Sequence, residues 1–334
     1  MKKLLKQCAI SAANQLGPHR FSGLARAPQL WILMYHRVLP AQDIRYGLEE
    51  PGMIVTPDTF AMHLRELKLH FDVVDLNDWL SLREKGEPLP KRACAITFDD
   101  GWQDNYEFAF PIIQQEKTPV TLFAVVERIG TDFQFWPNLI SSLLASNATQ
   151  AMKQHPVFER ALQQVPAVSD TNNREYMAAV IKSLKQTNDA EIFAALGDIQ
   201  WKKHLTFELP RGLMNWEELC TMASSEFVKL GSHTCNHKRL NADLSSTDLL
   251  HEIVDSKNIL AEKIPNSVNI FCFPNGDYNS LAFDTVHKTY RAAVTTRRGI
   301  VNANTPAHQL CRIGLHEHIS NTPRLLGSRL SGWI

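Results

Sequence analysis

Short apolar runs that alternate with helical segments constrain the fold of this chain more than any other feature. Runs of five to eight residues, rich in β-branched and aromatic side chains, are typical of buried strands. The sequence contains seven of them: Trp31–Tyr35, Ala93–Phe98, Pro119–Val126, Glu226–Leu230, Val268–Phe273, Ala292–Thr296 and Gln309–Leu315. Phe71–Leu76 is a weaker eighth run. Strands that alternate with helices form βα units, so we predict an α/β barrel with a mostly parallel sheet.

The segments between these runs supply the helices. Thr56–His70 begins with a plausible N-cap at Thr56 and has proline in its first turn, and Ser245–Ile264 has apolar residues near helical spacing. Residues Pro137–Leu205 are polar-rich and helical in pattern, and they separate two predicted strands by too long a distance for one crossover. We interpret them as a helical insertion on a barrel that covers residues 29–334. A separate helical domain is the alternative.

Composition excludes several classes of protein. The chain has 334 residues, of which 44% are hydrophobic, which is ordinary for a globular protein and rules out disorder. It carries 35 basic and 35 acidic residues, so its formal net charge is zero. Zero net charge argues against a nucleic-acid partner held mainly by phosphate contacts.

The N-terminal residues 1–28 are predicted to form a helical extension. Met1–Lys6 is basic, but Gln7–Leu16 is too polar for the apolar core of a secretory signal. We expect an amphipathic helix that packs on the domain, with peripheral membrane contact as the minor alternative. The sequence contains six cysteines without a CxxC pair, which favours free thiols in a reducing compartment. A cytoplasmic location is therefore expected.

Ionisable residues follow four of the predicted strands. Asp99 and Asp100 end the run ACAITF, and His233 and His237 come just after the run EFVKL. Two histidines at i and i+4 lie on one face if the segment forms a helical turn, close enough to bind one metal ion. Two histidines and one carboxylate are a recognised set for a catalytic metal.

The other two strand ends carry His36, after the run WILMY, and the turn Phe273–Tyr278, after the run VNIFCF. Each motif alone fits a turn or a structural histidine. In an α/β barrel, however, the active site forms where the strands end at their carboxyl side. Four polar motifs at four such ends therefore indicate one shared site.

The ordered motifs resemble those of the polysaccharide deacetylase family, which is carbohydrate esterase family 4 with the NodB-homology domain. The resemblance lies in TFDDG at Thr97–Gly101, HTCNH at His233–His237 and FPNG at Phe273–Gly276. LMYH at Leu33–His36 is similar to the branch that includes biofilm poly-N-acetylglucosamine deacetylases. The resemblance implies a distorted (β/α) barrel that hydrolyses an N-acetyl group on an amino sugar of a glycan or glycan precursor.

The same resemblance implies a divalent metal bound by Asp100, His233 and His237. Zn²⁺ is the ion most often found in the family, and Co²⁺ or another divalent ion is the alternative. The metal would polarise the acetyl carbonyl and hold the attacking water.

Further roles are implied for residues around the metal. Asp99 would be the general base and His36 the general acid that protonates the leaving amine. The backbone N–H of Asn275 would help to bind the oxyanion. His316, which also ends an apolar run, is a competing general acid. We prefer His36 because Leu33–His36 matches the branch pattern.

Two positions depart from the family pattern. Cys272 stands where the family commonly has an arginine that orients the base, and Asn275 stands where tyrosine is usual. A backbone N–H does not depend on side-chain identity, so the second departure leaves the oxyanion role intact. For the first, we hypothesise that Arg312 in the last predicted strand supplies the missing contact to Asp99.

Two other functions remain open at this point. The same site could hydrolyse a different amide, and the insertion could select a lipid-linked or nucleotide-linked sugar as the partner instead of a finished polymer. Alternatively, the chain could be a non-catalytic glycan-binding protein on a deacetylase scaffold. The tryptophans that could offer stacking surfaces for a glycan are Trp102, Trp136, Trp201 and Trp216.

Overall fold

The computed structural model describes residues 2–17, 19–20, 27–166, 173–241 and 244–333. It divides into two compact units. The barrel unit contains Met1–Val38, Val55–Thr131 and Leu213–Ile334, and the helical unit contains Leu39–Ile54 and Asp132–Gly212. The predicted insertion Pro137–Leu205 falls within the helical unit, whose second segment, Leu39–Ile54, no sequence feature had indicated.

Eleven strands are present in the described residues. They are β1 (Gln29–Tyr35), β2 (Arg37–Val38), β3 (Ile54–Val55), β4 (Asp72–Val73), β5 (Arg92–Phe98), β6 (Val120–Ala124), β7 (Val228–Ser232), β8 (Ile270–Cys272), β9 (Ala292–Arg298), β10 (Val301–Asn302) and β11 (Leu310–Gly314). Each of the seven strong apolar runs of the sequence overlaps one of these strands, and the weaker run Phe71–Leu76 contains the short β4.

Seven parallel strands close into a ring. Their order is β1, β11, β9, β8, β7, β6 and β5, and β5 pairs with β1 again. β4 extends the sheet beside β5, and β10 runs antiparallel beside β1. The predicted (β/α) barrel is therefore confirmed.

The ring is held by an apolar core. Alternate residues of neighbouring strands are buried in one cluster, for example Leu30 and Ile32 of β1 with Ala93 and Ala95 of β5. Successive side chains of a strand point to opposite faces, so such alternation places each of these residues on the same face of the sheet. Small alanines beside large aliphatic residues are compatible with the close packing of protein interiors.

Sixteen α-helices accompany the strands in the described residues. They are α1 (Lys2–Leu16), α2 (Ile44–Gly47), α3 (Pro57–His70), α4 (Leu76–Lys85), α5 (Phe110–Gln115), α6 (Trp136–Ala145), α7 (Thr149–Met152), α8 (Pro156–Gln163), α9 (Arg174–Leu184), α10 (Asp189–Asp198), α11 (Trp216–Ala223), α12 (Ser246–Leu250), α13 (Ser256–Lys263), α14 (Ser280–Thr289), α15 (Glu317–Ser320) and α16 (Pro323–Leu330). None of the helices in the described ranges is both long enough and apolar enough to cross a bilayer.

The ends of the predicted helices have identifiable causes. Thr56 caps α3, because its side-chain oxygen accepts a hydrogen bond from the backbone N–H of Thr59. The predicted helix Ser245–Ile264 is present as α12 and α13, joined by a π-helical turn at His251–Asp255. In the barrel unit, α1 packs against α16. A contact of α1 with a membrane stays a prediction.

The helical unit has its own core. Buried residues of α6, α8, α9 and α10 form one cluster, which includes Leu143, Phe158 and Ile181. Trp136 is buried in it and donates a hydrogen bond from Nε1 to Asp189, at 3.0 Å. In the barrel unit Trp102 is buried too. Neither indole offers a free stacking surface for a sugar ring.

A buried histidine makes the barrel unit sensitive to acid. His63 of α3 is fully buried, and its Nε2 donates to the carbonyl of Ser320 while Nδ1 accepts from the Tyr35 hydroxyl. Burial lowers the pKa of His63 from 6.5 to about 4. Between these values the unfolded chain binds a proton that the folded chain does not, so stability falls as pH falls.

Because of this histidine, we expect the free energy of unfolding to fall by about 2 kcal/mol when the pH is lowered from about 7.5 to about 5. Urea unfolding at both pH values measures it. His63→Gln should be less stable than wild type at the higher pH, because hydrogen bonds are lost, but should lose less on acidification. An equal loss in both proteins would assign the acid sensitivity to other groups.

Candidate metal centre and active site

The ends of β1, β5 and β7 carry the candidate site residues to one edge of the barrel. Tyr35 of β1 is in register with Phe98 of β5, so the next residues, His36 and Asp99, stand side by side. The backbone N–H of Asp99 donates to the carbonyl of Tyr35 at 3.0 Å. His233 follows β7 directly, and its N–H donates to the carbonyl of Ala124 at the end of β6.

Asp100, His233 and His237 come together as predicted for a metal centre. Oδ1 of Asp100 lies 3.3 Å from Nε2 of His233 and 3.4 Å from Nε2 of His237. This oxygen is buried, and among the described residues it has no hydrogen-bond partner. A buried carboxylate oxygen without a donor costs free energy unless a cation satisfies it. The three residues therefore fit a divalent metal.

Surrounding contacts prepare these ligands for a metal. Nδ1 of His233 donates to the carbonyl of Cys272 at 2.8 Å, which leaves the lone pair of Nε2 directed at Asp100. Nε1 of Trp102 donates to Oδ2 of Asp100 at 2.8 Å and orients the carboxylate. Burial alone would raise the pKa of Asp100, but the two imidazoles hold it well below its usual range.

The loop that carries both histidines is not the helical turn considered from the i, i+4 spacing. Thr234 and His237 have left-handed backbone, with φ of 69° and 60°. The hydroxyl of Thr234 accepts from the N–H of His237 at 2.9 Å, and the N–H of Val126 donates to the carbonyl of Thr234. The histidines therefore converge through a tight loop anchored to the end of β6. Left-handed residues other than glycine cost about 1–3 kcal/mol each, and they cluster at functional sites.

Asp99 is held by Arg312, which confirms the hypothesis made from the sequence. Two guanidinium nitrogens of Arg312 donate to the two carboxylate oxygens of Asp99, each at 2.7 Å. Nε of Arg312 donates to the carbonyl of Thr295 at 2.9 Å, so the guanidinium is fixed in place. Burial by itself would raise the pKa of Asp99, but Arg312 lowers it below its usual range. Asp99 is therefore ionised at neutral pH.

Cys272 lies beside this pair. A guanidinium nitrogen of Arg312 lies 3.3 Å from Sγ of Cys272, and both side chains are buried. The arginine thus reaches Asp99 from β11, while the cysteine occupies the end of β8. The departure from the family pattern changes the strand that supplies the arginine and keeps an arginine on Asp99.

Two histidines compete for the role of general acid. Nε2 of His36 lies 3.8 Å from Oδ2 of Asp99, and 20% of its side chain is exposed. His316 follows β11, which is in register with β1 at Met34 and Gly314, so it stands near His36 along the rim. Burial lowers the pKa of His316 to about 4, so it holds no proton to give at neutral pH. His36 also lies beside Asp99, and this position favours it as the candidate acid.

Asn275 lies in the turn after β8. Its φ is 56°, and Gly276 follows with a φ of 75° in close contact with Thr296, where a Cβ would clash. The turn begins at Pro274, two residues after Cys272, whose carbonyl accepts from His233. The role of the Asn275 N–H toward an oxyanion stays a prediction.

Sequence reasoning missed several residues that support the site. Glu252 is fully buried and accepts from the N–H of Asn236 at 2.8 Å and from its side-chain amide at 3.1 Å. An acidic residue beside Ile253, on the apolar face of the predicted helix, was a signal that could have identified it. Arg37 stacks over Trp102 at 4.0 Å and donates to Asp104 at 2.7 Å. Nothing in the sequence links those residues.

Known proteins resemble this chain in sequence. YxkH of Bacillus subtilis, provisionally named a polysaccharide deacetylase, is 21% identical over 308 residues, which are 92% of this chain and 76% of that protein. The poly-β-1,6-N-acetyl-D-glucosamine N-deacetylase of Staphylococcus epidermidis is 32% identical over 117 residues, which are 33% of this chain and 40% of that protein.

A solved structure shares the fold. The deacetylase PplD of Streptococcus pyogenes, in complex with acetate, matches with a TM-score of 0.59 and 18% identity. The match covers 91% of this chain and 99% of that chain. The family model for polysaccharide deacetylase matches residues 86–156 and 166–293, which together are more than half of the sequence. The chain therefore belongs to the polysaccharide deacetylase family.

Proposed function

We propose that this chain hydrolyses the N-acetyl group of an amino sugar in a glycan or glycan precursor, with a divalent metal bound by Asp100, His233 and His237. Membership of the polysaccharide deacetylase family makes it a carbohydrate N-deacetylase. The observation that carries the proposal is an oxygen of Asp100 that lies between two imidazole nitrogens and has no hydrogen-bond partner in the described part of the chain, beside an ionised Asp99. A glycan-binding protein without catalysis would need no such arrangement.

The residues around the metal position have separate roles in amide hydrolysis. A divalent ion held by the two histidines and Asp100 would polarise the acetyl carbonyl and lower the pKa of a water molecule. Asp99 accepts the proton of the attacking water, and Arg312 keeps it ionised and correctly oriented. His36 then donates a proton to the leaving nitrogen.

The developing charge also needs stabilisation. The acetyl carbonyl oxygen becomes negative when water adds to it, and a backbone N–H aimed at that oxygen stabilises the transition state. We assign this role to Asn275, whose left-handed conformation belongs to the tight turn after β8. Because the donor is the main chain, asparagine can stand where the family usually has tyrosine.

We assign Zn²⁺ as the physiological ion, because two imidazole nitrogens and a carboxylate oxygen with an open position are typical of catalytic zinc. Co²⁺ is the alternative. The substrate class is supported by the similarity to a staphylococcal deacetylase of poly-β-1,6-N-acetyl-D-glucosamine. The six cysteines form no disulfide, and on this basis we propose that the protein works in a reducing compartment, the cytoplasm.

Acetate release and metal content test the proposal together. Zn²⁺-loaded protein should release acetate from N-acetylglucosamine oligomers, and a strong chelator should abolish this release reversibly. His237→Ala should lose one equivalent of bound metal and the activity, while His287→Ala on α14 serves as the matched control. If folded, metal-loaded protein released acetate from no N-acetylated sugar or sugar nucleotide, the assigned activity would be wrong.

A further inference from the structure

We propose a second transition-metal site in the barrel unit, formed by the carboxylate of Glu127, the thiolate of Cys235 and the imidazole of His251. The candidate ligand atoms of these three residues all lie within 4.8 Å of one another. Sulfur, imidazole nitrogen and carboxylate oxygen are the donors that Zn²⁺ takes in proteins. The proposal concerns residues outside the catalytic set and does not rest on the proposed function.

His251 has the surroundings of a metal ligand. Its Nδ1 lies 2.9 Å from a carboxylate oxygen of Asp255, and its Nε2 lies 3.1 Å from the carboxylate of Glu127. When Nδ1 donates to Asp255, the neutral ring directs the lone pair of Nε2 toward Glu127. The carboxylate of Asp255 at Nδ1 orients the ring, and the carboxylate of Glu127 lies on the Nε2 side, where the metal would bind. This is the carboxylate–histidine–metal arrangement of known zinc sites.

Glu127 and Cys235 complete the set. One carboxylate oxygen of Glu127 accepts from the side-chain amide of Asn236 at 2.7 Å, which orients the group. Sγ of Cys235 is buried and donates to the carbonyl of His251 at 3.2 Å. Metal binding would exchange this weak hydrogen bond for a metal–sulfur bond, and the thiol proton would leave to solvent.

Solvent and charge favour a cation here. The side chains of Glu127 and His251 are 34% and 37% exposed, so an ion can enter and keep a water molecule as its fourth ligand. Three carboxylates surround the position, from Glu127, Glu252 and Asp255. One positive side chain, that of Lys238, lies 4.0 Å from Glu252. The negative groups outnumber it, which favours a bound cation.

The location gives this site a structural role. Cys235 lies between His233 and His237, in the loop that carries both histidines of the first centre. His251 and Asp255 lie on the π-helical turn between α12 and α13, and such turns are frequent at functional sites. An ion bound to Cys235 and His251 would fasten the metal-binding loop to this helix.

Cobalt titration of the full chain tests the proposal by absorbance. Wild type should bind two equivalents of Co²⁺ and develop a near-ultraviolet thiolate-to-cobalt band. Cys235→Ser should lose the band and one equivalent, whereas His237→Ala should lose the other equivalent and keep the band. Asp255→Asn should weaken the second equivalent by about 10–100-fold, which is typical for loss of a group that orients a ligand.

Two controls separate this thiol from others. Cys272→Ser removes the thiol beside Asp99, and Cys220→Ser removes one on α11; both should keep the band. If Cys235→Ser does not fold, His251→Gln replaces it and should lose the same equivalent. A band that persists in folded Cys235→Ser, or a wild type that binds one equivalent without the band, would overturn the proposal. Metal content and the absorbance band do not depend on whether the protein releases acetate, so they test this site separately from the proposed function.

Discussion

Asp99→Asn should lower the turnover number for acetate release by about 10²–10⁴-fold, the usual contribution of a general base. Asparagine has nearly the shape of aspartate, but it cannot accept the proton of the attacking water. The proposed metal ligands remain in place, because Asp100 and both histidines are untouched. Bound metal should therefore stay the same while turnover falls.

The measurement is single-turnover and steady-state acetate release, with metal content determined on the same samples. Asp284→Asn makes the identical chemical change at an exposed position of α14 and should leave turnover unchanged. Loss of the carboxylate also leaves Arg312 without its ionic partner, so the comparison requires folded protein. Turnover above about a tenth of the wild-type value would assign the base role to another group.

Arg312→Met should destabilise the protein by about 3–5 kcal/mol, because removal of one partner of a buried ion pair leaves the other charge uncompensated. Arg312 is 1% exposed and Asp99 is 2% exposed, so water cannot replace the guanidinium. Turnover should fall as well, since Asp99 would lose its fixed orientation. Urea unfolding at neutral pH measures the first effect.

A double variant separates the ion pair from simple loss of packing. If the charge left on Asp99 causes the destabilisation, Arg312→Met with Asp99→Asn should be more stable than Arg312→Met alone. Arg312→Lys should restore part of the turnover, because a point charge replaces the bidentate fork incompletely. Equal stability of the single and double variants would show that packing, and not charge, is what Arg312 supplies.

Strand positions could be predicted because buried strands require runs of apolar residues, which are visible in the sequence. Each of the seven strands of the ring overlaps an apolar run, and the candidate site residues lie in the segments that follow these runs. That strands of the same direction end at one edge predicted a shared site. The choice of Asp100, His233 and His237 as a metal set also depended on the spacing of the two histidines and on the resemblance to the deacetylase family. Local patterns were thus sufficient for the fold but not for the assignment of the candidate ligands.

Other features depended on long-range geometry. The i, i+4 spacing of His233 and His237 suggested a helical turn, but the left-handed backbone at Thr234 is fixed by contacts with β6 that no local pattern reveals. The contact between Arg312 and Asp99 could be suggested only from the missing family arginine. The segment Leu39–Ile54 lies far in sequence from the rest of its unit.

The closure of the ring also has a consequence for the order of events during synthesis. β1 is made early, yet its two neighbours in the ring are β5 and β11, and β11 is the last strand to appear. Arg312 on that strand lies 213 residues after Asp99. Such distant contacts form late, so an elongating chain carries both aspartates of the site before it carries the arginine that neutralises one of them. The active site is therefore complete only after the final strand has been made. A ribosome-bound chain that stops before β11 cannot close the ring, so its sheet keeps an unpaired edge.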